Sequence, residues 1–363
     1  MPHARLTIKQ VAEAAGVSTQ TVSRVINNRP DVAPETFQRI QRIIAATGYA
    51  PNMFARGLTQ GRSHVLGVVA AGQLEYFGPS HILMGIERQA ADSGYSISLN
   101  LIHELETTDV EPLLTSLFSR QVDGIIWAVP EVGDNRSWSN EVASDLLVPV
   151  LHVGGIGGRA SLGSIGIDNY AIGRMATEHL LLGGARQVGI ITGPPRWWES
   201  QQRKLGWRET LQAHGLPMHE QLVAIGDWGA TSGEEGLYRL LDQAPELDAV
   251  FASNDQMALG VLHAAHRMGR RVPEDLSVIG VDNIAEASHF WPSLTTIEQP
   301  LHMAGAQAVR EIDSAIRQAR QVRRAPEIAV PLLTLLQPKL IIRESTRPTF
   351  MAVDDTGSLA EAV

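Results

Sequence analysis

The stretch Thr7–Asn28, TIKQVAEAAGVSTQTVSRVINN, constrains the fold more tightly than any other part of the chain. Thr7, followed three residues later by Gln10, carries the signature of a capping box at a helix start. Ile8, Val11, Ala12 and Ala15 then recur at helical spacing and make one apolar face. Gly16 is placed to stop this helix, because glycine takes up left-handed backbone without a Cβ clash. Ser18 can cap a second helix, in which Val22, Val25 and Ile26 face inward while Thr19, Gln20, Ser23, Arg24 and Asn27 face outward. Two short helices about a glycine turn, the second with a hydrogen-bonding outer face, make the helix-turn-helix pattern that sets its second helix in the DNA major groove. Amphipathic helix pairs also occur in ordinary bundles, so the pattern needs support from the rest of the chain.

Charge distribution supplies some. The chain carries −9 overall, which is unfavourable for meeting phosphate. Residues 1–62, however, hold eight Lys or Arg against Glu13, Asp31 and Glu35, a surplus of five positive charges, and the remainder is strongly acidic. A basic head on an acidic body points to two jobs in one chain. At 363 residues the chain exceeds one compact domain. It contains no cysteine, which excludes disulfides and cysteine-ligated zinc. MPHARLTIKQ at the start has no apolar run of a secretory signal, and no eighteen apolar residues occur in succession. A cytoplasmic protein without membrane contact is expected.

After the second helix, Pro34 opens a third, with Phe37, Ile40, Ile43 and Ile44 inward and Gly48 as its stop. Its cap position is Ala33, which offers no side-chain oxygen and forgoes about 1 kcal/mol. Residues 49–63, YAPNMFARGLTQGRS, are too short and polar to hold a core and read as a linker or hinge. From Val65 onward, apolar runs such as VLGVVA, GIIWAV, QVGIITG, AVFASND and LSVIGVDN alternate with amphipathic helical stretches. Continuous Val/Ile strands with helices between them imply parallel sheets covered on both faces. Roughly ten such strands divide into two doubly wound units, with a cleft at their carboxyl ends.

The runs VAEAAGVSTQTVSRVINN and GYAPNMFARGLTQGRS, with this alternation behind them, resemble the LacI family of bacterial transcription regulators. The resemblance implies an α/β protein with an all-α helix-turn-helix head (residues 1–48), a hinge that becomes helical on DNA (49–63) and a periplasmic-binding-protein-like core (64–346). That core would comprise one parallel-sheet subdomain at about 64–168 and 300–330 and another at about 169–299 and 331–346. Crossings between them are expected near Asp168, near Gln299 and in the 325–335 region. The tail, 347–363, shows no leucine heptad and reads as disordered, so a homodimer rather than a coiled-coil tetramer is expected. Implied DNA contacts are Thr7, Thr19, Gln20, Ser23, Arg24 and Asn27 in the head, with Asn52, Ala55 and the minor-groove wedge Leu58 in the hinge. The implied partners are a palindromic operator and a small-molecule sugar or glycoside effector that relieves repression. A corepressor-type regulator with a purine-like ligand and a solute-binding protein for transport are the alternatives; the second would need neither the basic head nor its helix-turn-helix.

Enzymatic function finds no footing. GGIGG at residues 154–158 loosely resembles a dinucleotide fingerprint, but ASLGSIGID after it reads as loop and strand where the fingerprint requires a helix. His263 and His266 lack a third ligand nearby in sequence, and no GxSxG, HExxH or Walker sequence occurs. No catalytic residue, cofactor or metal is therefore expected. The resemblance instead carries ligand contacts to Arg203, Trp228, Asn254, Asp282 and Gln299. An arginine fork, a carboxylate and an amide suit closely spaced sugar hydroxyls, and an indole face covers the apolar side of a sugar ring. Trp197 and Trp198 could add aromatic walls. Against these ligand roles stand plainer readings, in which Arg203 and Glu199 form a surface i, i+4 pair and Trp228 is a core residue. Gly154 stands where the lactose repressor has an aspartate, so the sugar cannot be copied from that protein.

Overall fold

The computed structural model describes residues 7–26, 29–49, 62–106, 109–135, 137–138, 146–155, 163–321 and 333–348. Asn27, Asn52, Ala55, Leu58 and the tail beyond residue 348 lie outside them. The chain divides into two compact units, residues 1–64 and 65–363.

In the first unit, α1 (Ile8–Ala15) starts at the expected capping box: Thr7 N–H donates to Gln10 Oε1 at 2.8 Å, and Gln10 N–H donates back to Thr7 Oγ1 at 3.4 Å. Gly16 ends it in left-handed backbone, φ 64°. Helix α2 (Thr19–Ile26) begins with Thr21 N–H donating to Ser18 Oγ at 3.2 Å. Helix α3 (Pro34–Thr47) has no side-chain cap from Ala33 and ends at Gly48, φ 62°. Val11, Ala12, Ala15, Val22, Val25 and Ile40 form the small buried core, with Ile8, Ile26, Phe37, Ile43 and Ile44 packed on it. Each buried face comes from an i, i+3/i+4 pattern, so the three helices close around one apolar centre.

The second unit holds two six-stranded sheets. In the first, β1 (Val65–Ala71), β2 (Ser96–Ile102), β3 (Gly124–Ala128), β4 (Val150–Val153), β5 (Gly163–Ile167) and β11 (Leu333–Leu336) lie in the order β11-β5-β4-β3-β1-β2, all parallel. In the second, β6 (Val188–Thr192), β7 (Val223–Ile225), β8 (Ala249–Ala252), β9 (Ser277–Asp282), β10 (Thr295–Glu298) and β12 (Lys339–Ile341) lie in the order β12-β10-β9-β8-β6-β7, with only β12 antiparallel. Helices α4 (Phe77–Asp92), α5 (Glu111–Ser119) and α10 (Leu301–Gln321) cover the first sheet. Helices α6 (Asn169–Leu182), α7 (Trp198–Ala213), α8 (Ala230–Gln243) and α9 (Asp255–Arg267) cover the second. Strands β3, β6, β8 and β9 are buried along their whole length, as strands covered on both faces must be.

The chain passes from the first sheet to the second at Asp168, whose carboxylate caps α6 through Ala171 N–H at 2.8 Å, and returns after Gln299. The third crossing corrects the expectation. Leu333–Leu336 still pairs with β5 in the first sheet, and the chain crosses at Gln337 and Pro338, not within 325–335; residues 333–336 therefore belong to the first subdomain. Two short edge strands of different sheets share one apolar run, LLTLLQPKLII, and Pro338 separates them because it cannot donate to a ladder.

Candidate functional site

In the head, the outward face of α2 is open. Thr7, Thr19, Gln20 and Arg24 are exposed and Ser23 is half-buried. Arg24 Nε lies 3.5 Å from Asp31 Oδ2, with both side chains more than half exposed. Such a pair is worth little in water and is readily exchanged for a better partner.

The second site is built on helix crossings. A Cβ at Gly173 would stand 2.1 Å from Arg203 O, and one at Gly206 would stand 2.3 Å from Tyr170 O. The two glycines thus bring α6 and α7 into backbone contact, which sinks Arg203 beneath the sheet ends at 4% exposure. Its Nε donates to Asn169 Oδ1 at 2.8 Å and a terminal nitrogen donates to Ser253 O. Burial pulls its pKa down, while Asp282, Glu199 and Asp255 oppose that shift. A surface pairing of Arg203 with Glu199 is thereby excluded.

Trp228 sits at φ +75°, an uncommon conformation for a residue with a Cβ. Asn254 Nδ2 holds its carbonyl at 2.9 Å, and its ring packs over Gly193, where a Cβ would come within 2.1 Å of it. The indole meets Trp197 edge-on at 5.7 Å, and Trp197 meets Tyr76 edge-on at 6.0 Å. The Arg203 guanidinium carbon lies 5.8 Å from the Trp228 ring centre. Trp228 Nε1 is buried without a hydrogen-bond partner. Asn254 has a structural task as well: its Oδ1 accepts from Met257 N–H at 2.9 Å and caps α9. One amide N–H remains for other partners.

Asp282 ends β9 at φ 118°, followed by Asn283 at φ 56°. Gln299 Nε2 donates to its Oδ1 at 2.6 Å. Burial pushes the Asp282 carboxyl up to about 6, against the pull of Arg203 and Gln299. Below this turn lies Asp255, fully buried, accepting from Thr296 Oγ1 at 2.6 Å and from Ile284 N–H at 2.9 Å. Gly280 makes room for it, since a Cβ there would approach Asp255 Oδ1 to 2.2 Å. Burial, reinforced by the charge of Asp282, pushes Asp255 up to about 8 and keeps it protonated at neutral pH.

Arg203, Trp228, Asn254, Asp282 and Gln299 all line one cavity of about 390 Å³ at the carboxyl ends of both sheets. Gly154 also lines it, as does Trp197; Trp198 does not, and its N–H instead donates to Glu131 O. Sequence reasoning missed Tyr76, Phe77, Asp227 and Gln256 in the same wall. The signal was present for three of them: Tyr76 and Phe77 lie in the connection from β1 into α4, and Gln256 stands two residues after Asn254, each where strand ends open toward a ligand. His263 and His266 are exposed, and among the described residues no cluster of acidic and histidine side chains could hold a metal. Among the same residues no helix is long and apolar enough to cross a membrane.

A helix-turn-helix joined to a two-subdomain binding cleft defines a ligand-sensing, DNA-binding regulator. Residues 7–52 match the bacterial regulatory proteins of the lacI family, and residues 177–346 match the periplasmic binding protein-like domain. The HTH-type transcriptional regulator CelR of Thermobifida fusca is 32% identical over 94% of this chain and 98% of its own. The HTH-type transcriptional repressor PurR of Photorhabdus laumondii is 32% identical over 93% of this chain and 96% of its own. Among solved structures, a CelR–cellobiose complex covers 94% of this chain and all of its own at 31% identity and TM-score 0.66. The lac repressor dimer bound to operator and an anti-inducer covers 95% of this chain and all of its own at 29% identity and TM-score 0.80. The chain belongs to the LacI family of transcriptional regulators.

Proposed function

We propose that the protein is a homodimeric repressor of carbohydrate-utilisation genes, acting in the cytoplasm on a palindromic operator and released when a sugar or glycoside occupies the cleft. The observation that carries this reading is the convergence of Arg203, Asp282, Gln299 and Trp228 on one cavity beside the aromatic rings of Trp197 and Tyr76. Sugar hydroxyls both donate and accept, so they can satisfy a guanidinium, a carboxylate and an amide at once. Aromatic faces suit the apolar side of the ring. In the head, Gln20 and Arg24 read base edges, Thr7, Thr19, Ser23 and Asn27 support that contact, and Asn52, Ala55 and Leu58 act in the minor groove. Asn254 acts in two ways, as a cap of α9 and as a ligand donor through its remaining N–H. The cleft binds and does not catalyse.

A relative complexed with cellobiose favours the sugar reading, whereas a purine repressor among the relatives keeps the corepressor alternative in view. Ligand titration in an operator-binding assay separates the two. Release of operator by sugar supports the proposal; tighter binding with a purine base overturns it.

A further inference from the structure

The first sheet carries a separate cavity, of about 470 Å³, on the face that α5 covers. Successive residues of a strand point to opposite faces, and this alternation divides it from the cleft: at the end of β3 and just beyond, Ala128 and Pro130 line the cleft while Trp127 and Val129 line this cavity. Among the described residues none lines both. The inner walls are apolar. Ile102 ends β2, Leu114 and Phe118 come from α5, and the rings of Trp127 and Trp138 meet at 4.5 Å, tilted by 50°. Hydrogen bonds fix the chain after β3: Asn135 Nδ2 donates to Pro130 O at 2.9 Å, Val132 N–H donates to Asn135 Oδ1 at 3.2 Å, and Gly133 N–H donates to Arg196 O at 2.9 Å. The volume suits a small molecule, and walls tied in advance lower the ordering cost of binding one.

The charge of the lining narrows what that molecule is. Its exposed part carries Glu106, Asp109, Glu111 and Asp134, and none of the described lining residues is basic. Two of these carboxylates are already engaged. Arg196 Nη2 lies 2.8 Å from Glu106 Oε2, and Asp109 Oδ1 accepts from Glu111 N–H at 3.1 Å at the start of α5. The Glu111 and Asp134 carboxylates face solvent and form no ion pair among the described residues. An anion would meet like charge here, and a neutral apolar molecule would leave both carboxylates unused. A molecule with an apolar body and a positive head matches both halves of the lining. We propose that this cavity is a second ligand site, for an organic amine whose apolar body packs against Trp127 and Trp138 and whose ammonium group meets the carboxylates of Glu111 and Asp134. The site does not depend on what occupies the cleft.

The test is calorimetric titration of the full chain at low ionic strength with phenethylamine, 2-phenylethanol, 3-phenylpropionate and putrescine, which separates the apolar body from the charge. Phenethylamine should bind roughly tenfold or more tighter than each of the other three. Glu111→Gln combined with Asp134→Asn removes both charges from exposed positions and should erase most of that preference. Thr115→Trp fills the cavity from an exposed position on α5 and should abolish binding. Thermal unfolding and operator binding of both variants should match wild type, so that the losses report the cavity. Should Thr115→Trp fail to fold, the charge-removing variant decides alone. Absence of phenethylamine binding at millimolar concentration overturns the inference, as does equal binding of the alcohol or the carboxylate. An amine affinity that survives the variants overturns it as well, since it places the amine elsewhere in the molecule.

Discussion

Asp255 makes the buried turn at the cleft titratable, and its removal should change how stability depends on pH. In the unfolded chain its carboxyl ionises near 3.8; in the fold it holds its proton up to about 8. Between these values the native state binds one proton more than the unfolded state, so stability is full at low pH and is lost as pH rises. Each pH unit in that window costs about 1.4 kcal/mol. Asp282, raised to about 6, contributes in the same direction but is largely ionised above that value. From about pH 6.5 to 7.5 the difference between the wild type and a variant lacking the Asp255 carboxyl therefore reports this group. Asp255→Asn keeps the side-chain volume, leaves an oxygen to accept from Ile284 N–H, and places an NH2 toward the Thr296 hydroxyl. Urea unfolding of wild type and variant at several pH values in that window measures the difference. The wild type should lose about 1.4 kcal/mol per pH unit relative to the variant. Parallel stability profiles would refute the claim that a protonated acid supports the Asp282 turn.

Arg24→Ala should weaken operator binding by about 1–3 kcal/mol while affecting random DNA less, read by competition gel shift; equal loss on both would leave only a phosphate contact. Asn254→Ala removes the cap of α9 and the tether on Trp228 together, so thermal unfolding should show a loss of about 1 kcal/mol or more, with weakened sugar binding besides. A stable variant with unchanged sugar affinity would contradict that dual role. Gly193→Ala drives a methyl group into the Trp228 ring and should cut sugar affinity without altering operator binding in its absence; unchanged titration curves would show that the ring position is immaterial.

Local chemistry was legible in the sequence and long-range chemistry was not. Thr7 and Gln10 declare their box because both partners lie within one turn, and Gly16 and Gly48 declare left-handed ends. The five cleft residues were carried over from the resemblance to the LacI family; Asn254, Asp282 and Gln299 also stand at strand or helix ends that open toward a ligand, whereas Arg203 lies inside α7 and only the fold brings it to the cleft. Asp255 was invisible because its partners, Ile284 and Thr296, come from 29 and 41 residues away. Asn254 was read as a ligand contact alone because its cap on Met257 and its hold on Trp228 appear only once α9 is in place. The late crossing was missed because β11 and β12 are each too short to show a period.

Operator binding measured with and without a bound neutral sugar, for wild type and Asp282→Asn, tests most directly whether the cleft controls the head. A ligand moves an equilibrium only by its differential affinity for two states. Losing a hydrogen bond to a charged acceptor costs about 1.5–3 kcal/mol, so the variant should need roughly ten- to a hundredfold more sugar to release operator. Its affinity for operator without sugar should match wild type. Release at the same sugar concentration in both proteins would contradict the assigned site, and loss of operator binding without sugar would show Asp282 holding the fold instead of the ligand.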